Sequence, residues 1–514
     1  MSKPIIKIKN IRSTIEMIPR SVSEELYEHL SFEVPGAKYS NKTKNIDPKT
    51  GLPEWDGKIH LFDKRYNGFL TGLTFKVIEF LREKHGVTPI IKWMCDPPQK
   101  TLDLKWNGKD FPLRDYQTKI VKTCIQKKRA VIEATTGSGK TVIVSKIIQE
   151  LGVSPFLFYV LTRDLMYQAK NMLEKSIPGL EVGIIGDGKC EIKDVNIITV
   201  QTAIAAYKKT IGKKDLEDIK ESAEMDDIEY KELKKENLDH IKNKKAEIQK
   251  VIESAVGEYA DEVHHWSAKI CKEVMLKSPK AYYRYGGSAT PIRSDNSYLT
   301  IEGLFGRKTA VITASDLIRL GYLIKPTIRF IKMKTKQHWA DTWAQDREFH
   351  IVENSTRNNC IISLAKHLMS KNIRTMILVQ TIKHGSFLEK QIPESVFIYG
   401  GSPGKKRTQA LEDIQTGKIK VLISSVIADE GLDLPSLSAL IIAGGGKSPT
   451  RAKQRVGRVI RKGSQFALVY DFLDVGRWSK EHSIRRKEIL EQEEEFDVKI
   501  IPEDEILTQY MDLF

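Results

Sequence analysis

The sequence predicts an α/β protein, with two tandem parallel-sheet lobes, a small amino-terminal α+β domain and a helical insertion in the first lobe. Three observations predict this. At 514 residues the chain exceeds what one hydrophobic core organises and should divide into about three or four domains. From Phe111 to about Asp474, short apolar, β-branched runs alternate with helical stretches, the pattern of parallel α/β sheets. That span is too long for one sheet with short connections, and a break near Phe305 to Pro326 divides it in two.

Residues 1–95 form the amino-terminal domain, with a strand-like start at Ile5 to Ile8 and amphipathic helices near Ser23 to Leu30 and Thr74 to Lys84. It carries 16 basic and 11 acidic residues. Lobe one covers 96–315, with strands expected at Val131 to Glu133, Phe156 to Leu161, Val195 to Val200 and Val256 to Ala260. An insertion at about 207–255 interrupts it. Residues 207–253 hold 12 Lys and 13 Asp or Glu, and Ile241, Ile248, Ile252 and Ala255 keep helical spacing. A solvated helical hairpin is the reading, and its near-neutral charge gives no reason to assign it DNA binding. Lobe two covers 316–475, with strands at Met376 to Val379 and Val421 to Ile423. Residues 476–514 supply a mixed-charge helix, Ser479 to Glu494, and an acidic end at Glu503, Asp504 and Glu505.

Composition narrows the function classes. Hydrophobic residues at 40% and charged residues at 29% describe an ordinary folded protein. No apolar run reaches bilayer length and the start lacks the apolar core of a signal peptide, so the chain is expected in the cytoplasm, that of the host cell if it is viral, with no membrane partner. Its five cysteines are scattered without a C-x-x-C pair, which points away from disulfides and structural zinc. Net charge is +16, from 83 Lys and Arg against 67 Asp and Glu. That favours a polyanionic partner, DNA or RNA, although a basic protein that binds neither has the same balance.

The chemistry-bearing segments follow. Ala134-Thr-Thr-Gly-Ser-Gly-Lys-Thr141 stands between a predicted strand and a predicted helix, the setting a phosphate-binding loop requires. In the loop Thr136, Gly137, Ser138 and Gly139 turn backbone amides toward phosphates, and the helix adds its positive end. Lys140 would hold the β- and γ-phosphates of ATP, and Thr141 would ligate Mg²⁺. Ala134 stands where the strict pattern has Gly. Asp261-Glu262-Val263-His264 ends the strand near Val256 to Ala260: Asp261 would bind Mg²⁺ through water and Glu262 would polarise the attacking water. Gln454-Arg-Val-Gly-Arg-Val-Ile-Arg461 places Arg458 and Arg461 three apart on one helix face, two forks suited to a transferring γ-phosphoryl group. They reach a phosphate at Lys140 only if the lobes close on ATP.

Taken in order from Arg114 to Arg461, these elements resemble the superfamily 2 helicases, which implies RecA-like lobes. The resemblance implies that Arg114-Asp-Tyr-Gln117 reads adenine, with Arg114 and Gln117 at the base. Leu161-Thr-Arg-Asp-Leu165 and Thr199-Val-Gln-Thr202 resemble segments that touch the nucleic-acid backbone, which assigns that role to Thr162, Arg163, Gln201 and Thr202. Ser288-Ala-Thr290 resembles the segment coupling hydrolysis to strand movement, and Gly431-Leu-Asp433 resembles the segment whose Asp433 holds ribose beside Gly431. Asp-Glu-Val-His is similar to XPB-type DNA repair motors, as is His482-Ser-Ile-Arg-Arg486 to their closing helix. Glu54-Trp-Asp-Gly-Lys-Ile-His-Leu61, after Leu30-Ser-Phe-Glu33, resembles the amino-terminal domain of the UvsW recombination helicases of T-even bacteriophages. That resemblance implies rewinding and branch migration of forked DNA.

Trp55 beside Lys58 pairs an aromatic surface with a phosphate contact, the alternative being that Trp55 is a core residue. The principal expectation is an ATP-dependent DNA-remodelling motor. Its rivals are an RNA helicase and a nucleic-acid-binding scaffold with weak ATPase, the latter disfavoured by the presence of Lys140, Thr141, Asp261, Glu262, Gln454, Arg458 and Arg461.

Overall fold

The computed structural model describes residues 3–46, 53–207, 244–289, 297–425, 437–446, 449–457, 459–460 and 466–505. The chain forms two compact units: one holds the amino-terminal domain and the first large sheet, the other holds the second large sheet. Among the described residues no helix is long and apolar enough to cross a membrane.

Burial alternates along Ile5–Ile8 and Arg12–Glu16, turning Ile6, Ile8 and Ile15 inward. These strands pair antiparallel within a five-stranded sheet ordered Phe62–Asp63, Gly68–Leu70, Arg12–Glu16, Ile5–Ile8, Ile90–Trp93. Helices Arg20–His29 and Thr74–His85 add Val22, Leu26, Val77, Phe80 and Leu81 to the core.

The domain is pinned to lobe one. A Cβ at Gly72 would stand 2.0 Å from the Glu302 carbonyl oxygen, so the turn Thr71–Leu73 meets helix Tyr298–Phe305 backbone to backbone. Lys76 pairs with Glu302 at 3.3 Å and Arg307 with Glu79 at 3.0 Å. The Arg129 guanidinium donates to carbonyl oxygens of Asn10, Ala281 and Leu304, tying both sides together. Burial, then the charge of Arg284, brings the Arg129 pKa down to about 9. Gly72→Ala should therefore strain this joint by about 1–3 kcal/mol, the usual cost of overpacking. The expected readout is a lower melting temperature with faster proteolysis between the domain and lobe one; an unchanged melt and digest would show that the joint yields freely.

Lobe one is an eight-stranded sheet in the order Lys189–Glu191, Val182–Gly186, Val195–Thr199, Phe156–Val160, Gly257–Ala260, Tyr283–Ser288, Arg129–Ala134, Lys308–Ile312. Its central pairs are parallel, and Phe156–Val160, Val195–Thr199 and Gly257–Ala260 are buried throughout. Helices cover both faces of such a sheet, which is why its strands read as continuous apolar runs. Of the insertion, residues 208–243 lie outside the described residues. Helix Lys245–Ser254 buries Ile248, Val251 and Ile252, and Gln249 bonds the Ala206 carbonyl at 2.7 Å.

Lobe two is a seven-stranded sheet, parallel in every recorded pair, ordered Ser395–Ile398, Val421–Ser425, Thr375–Val379, Ala439–Ile442, Ala467–Leu473, Pro326–Lys332, Asp497–Pro502. The expected closing helix is present as Arg477–Glu491 and lies on this lobe. Arg486, buried, makes two 2.8 Å bonds to Asp471, and Arg357 bonds Asp474 at 2.9 Å. The strand Asp497–Pro502 was not evident in the sequence. It sits at the sheet edge with few buried side chains and is held by Arg329, whose guanidinium reaches Asp497 at 2.7 Å.

Candidate active site

Three neighbouring strands of lobe one deliver the site. Arg129–Ala134, Tyr283–Ser288 and Gly257–Ala260 run side by side in parallel, with Glu133 opposite Ser288 and Ala260 opposite Gly286. Their carboxyl ends release the loop 135–139, Ser288, and Asp261 with Glu262 along one edge, within about 10 Å at ordinary strand spacing. Ligands gather at this edge in open parallel sheets.

After Ala134 the chain turns through Gly137 at φ +83° and Gly139 at φ +76° into helix Lys140–Leu151. Gly139 has a second requirement: a Cβ there would come within 2.6 Å of Gln117 Nε2. Gln117 itself is buried, and its Oε1 accepts from the Arg114 amide at 3.0 Å, closing the start of helix Asp115–Lys127. Arg114 and Gln117 thus lie beside the phosphate loop, with Arg114 Nη1 donating to Tyr116 Oη at 2.9 Å.

Lys140 Nζ donates to Glu262 Oε1 at 3.2 Å, two groups 122 residues apart. Glu262 stands at φ +43°, a left-handed conformation that aims its carboxylate back at the loop. Its other oxygen accepts from Ser288 Oγ at 3.3 Å, and Ser288 Oγ lies 2.8 Å from His264 Nδ1. With the serine proton committed to Glu262, its oxygen is left to accept from His264. Tyr259 Oη donates to Asp261 Oδ1 at 3.3 Å. Removal from water, then the negative charge of Glu262, pushes the Asp261 carboxyl up to about 6 against the pull of Lys140. An Asp261 carboxyl removed from water and crowded by the charge of Glu262 is a donor that a divalent cation relieves, and a glycine-bounded loop at a helix start suits phosphate. The residues present therefore fit Mg²⁺ and ATP.

The other named residues fall elsewhere. Thr162 caps helix Arg163–Ser176 by accepting from the Leu165 amide, and Arg163 is exposed beside Asp187. Gln201 and Thr202 are buried: Gln201 Nε2 bonds the Leu161 carbonyl at 2.8 Å and Thr202 meets Thr199 at 2.8 Å. Gln201 thereby ties residues 199–202 to Leu161, while Thr202 bonds within its own segment. Trp55 Nε1 donates to the Lys58 carbonyl at 2.8 Å, and Lys58 Nζ pairs with Glu28 at 2.8 Å, which makes this pair a local clasp. Gln454 lies in helix Pro449–Val456. Gly431, Asp433, Arg458, Arg461 and Thr290 lie outside the described residues. The Tyr259 bond and the His264–Ser288–Glu262 chain went unread in the sequence. The first is local, between residues two apart, and the second depends on the pairing of Gly257–Ala260 with Tyr283–Ser288.

A glycine-bounded loop, a paired Asp-Glu just after a nearby strand and a second parallel sheet downstream are the arrangement of two RecA-like lobes. Residues 110–293 match the family model described as the res subunit of type III restriction enzymes, and 357–463 match the helicase conserved C-terminal domain, together more than half of the chain. The chain belongs to the superfamily 2 helicases. It is 28% identical over 384 residues to a protein named as helicase 22 of Sulfolobus islandicus filamentous virus, covering 69% of this chain and 62% of that one. It is 25% identical over 418 residues to the DNA 3'-5' translocase XPB2 of Sulfurisphaera tokodaii, covering 73% and 84%. Among the first relatives matched, the chain spans 56–62% of the viral protein and of a Rad25-type helicase of Halobacterium salinarum. A fragment assigned as the HsdR subunit of a type I restriction enzyme from Vibrio vulnificus shares the fold, with TM-score 0.52, 16% identity, and 76% and 69% coverage. T4 UvsW aligns over 97% of this chain and 99% of its own, with TM-score 0.40 and 18% identity.

Proposed function

We propose that the chain is an ATP-driven DNA motor that remodels forked or branched DNA. The observation that carries the motor reading is the Lys140–Glu262 contact at 3.2 Å beside Asp261, a phosphate-binding cation and a water-polarising carboxylate on one sheet edge. In this reading loop amides at Thr136, Gly137, Ser138 and Gly139 hold phosphate, Lys140 counters its charge, and Thr141 and Asp261 hold Mg²⁺. When bound, Mg²⁺ supplies positive charge against the phosphate oxygens. Glu262 accepts a proton from the attacking water, with Ser288 and His264 fixing its orientation. Arg114 and Gln117 select adenine, Gly431 and Asp433 hold ribose, and Gln454, Arg458 and Arg461 complete the catalytic set from lobe two. The XPB2 relative, a named DNA translocase matched over 84% of its length, supports DNA as the track.

The test compares ATP turnover on forked, blunt duplex and single-stranded DNA and on RNA, with gel analysis of fork and four-way-junction conversion. Forked DNA should stimulate most and be converted only with ATP and Mg²⁺. Stronger stimulation by RNA would make the chain an RNA helicase, and no stimulation by any nucleic acid would leave a binding scaffold.

A further inference from the structure

A second candidate site lies at the opposite edge of lobe one. Strand Arg129–Ala134 rises about 17 Å from its first residue to the phosphate loop. At its start, where the amino-terminal domain docks, is a cleft of about 540 Å³, inside the range of about 300–1,000 Å³ typical of ligand sites. Six cations line it and no carboxylate does. Three are committed: Arg129 to backbone carbonyls, Arg307 to Glu79 and Lys308 to Glu133. Lys9, Lys127 and Lys128 have no carboxylate within 4.0 Å among the described residues.

The apolar part of the lining includes the aromatic rings of Phe75, Trp93 and Tyr282. Ile91 and Trp93, two apart on the edge strand Ile90–Trp93, both face the cleft, and Trp93 is 52% exposed. Lys128 Nζ sits 4.0 Å from the Trp93 ring centre and 5.2 Å from that of Tyr282, whose ring is 6.2 Å from Trp93. An indole left half-bare beside a cation row combines a stacking surface for a base with contacts for its phosphates. Lys9 and Lys127 are exposed, so charge runs along the mouth of the cleft, which suits a strand passing by better than an enclosed monomer.

We propose that this cleft binds a single-stranded DNA arm, with bases stacking on Trp93 and phosphates on Lys9, Lys127 and Lys128. It rests on the DNA reading above for its substrate class, and it places an arm far from the nucleotide edge of lobe one.

The test measures binding of the full chain, without ATP, by fluorescence anisotropy on a fork with oligo-dT arms, the same fork with abasic arms, and a blunt duplex. The triple variant Trp93→Ala, Lys127→Ala, Lys128→Asn is used, Asn because Lys128 sits at φ +65°. It should weaken binding to the dT-armed fork by about tenfold or more and flatten the salt slope by about 1.4, two phosphates at about 0.7 each. Blunt duplex binding should change less than about twofold, within the spread of neutral surface changes. Equal loss on both, no loss on the fork, or abasic arms binding as tightly as dT arms would overturn the proposal. Trp93→Phe, which keeps a ring, should retain most of the affinity. If the triple variant fails to fold, photo-cross-linking of the native chain to iododeoxyuridine arms decides: adducts on peptides carrying Trp93 or Tyr282 support the cleft, and adducts only elsewhere overturn it. Fork conversion by the native chain tests the remodelling reading separately, since arm binding needs no ATP.

Discussion

Lys140→Ala is expected to abolish ATP turnover while leaving DNA binding largely in place. The ammonium is the strongest positive group the structure brings to the loop, and it also restrains both carboxylates: it bonds Glu262 at 3.2 Å and holds down the Asp261 carboxyl. Its loss removes the phosphate partner and leaves two neighbouring carboxylates facing each other. Losing one preorganised group opposite transition-state charge costs about 10²–10³ in rate, and the added repulsion of a polyanion should take the remainder below detection. Steady-state hydrolysis and anisotropy on the same folded preparation check both halves. Unchanged hydrolysis would remove the loop from the catalytic assignment.

Glu262→Gln should bind ATP yet hydrolyse it roughly 10³-fold more slowly, comparable to the effects of other groups that act on the transferring phosphoryl. The amide keeps the shape, but its single oxygen can accept from only one of Lys140 and Ser288 where they stand, and it cannot take a proton from water. It also removes the second cause of the raised Asp261 pKa, so that carboxyl should fall from about 6 toward its ordinary 3.8. Asp261 favours its protonated form in the fold. Its contribution to stability is full below the ordinary value and is lost as pH rises through about 6. Mg²⁺ requires the ionised carboxylate, so in the native chain Mg²⁺-dependent nucleotide binding should weaken as pH falls through about 6, and in the variant only at lower pH. A titration with a fluorescent ATP analogue across that interval tests the sign. Loss of nucleotide binding at neutral pH would show that Glu262 holds nucleotide and does not act on water.

Much of this was legible in the sequence because parallel strands buried on both faces leave unbroken β-branched runs. Expected strands at Val131 to Glu133, Phe156 to Leu161, Val195 to Val200, Met376 to Val379 and Val421 to Ile423 each lie within a residue or two of the observed ones. The phosphate loop was legible for a similar reason, since its geometry is local and its glycines are obligatory. A contact set by strand order was hidden: nothing in the spacing places Ser288 on Glu262. Trp55 and Lys58 drew notice because they are close in sequence, and that closeness is what lets them satisfy each other. Trp93 and Lys128 are 35 residues apart, on two different domains, and meet through docking. The edge strand Asp497–Pro502 was masked by its exposure, which blurs alternation into a mixed-charge tail.

Arg129 begins the strand that ends at the phosphate loop, and the same side chain grips the amino-terminal domain through the Asn10 carbonyl. Pull on that domain would enter lobe one at the foot of this strand. There the chain is flanked by Tyr283–Ser288 on one side and Lys308–Ile312 on the other, with Arg129 to Glu133 in register against Arg284 to Ser288. A strand tugged along its length and bonded on both edges yields only when many bonds shear together, whereas one peeled from an end loses them singly. Tension on the domain would therefore be borne as shear by a strand bonded on both edges. Such a strand is a strut between the domain and the loop 135–139.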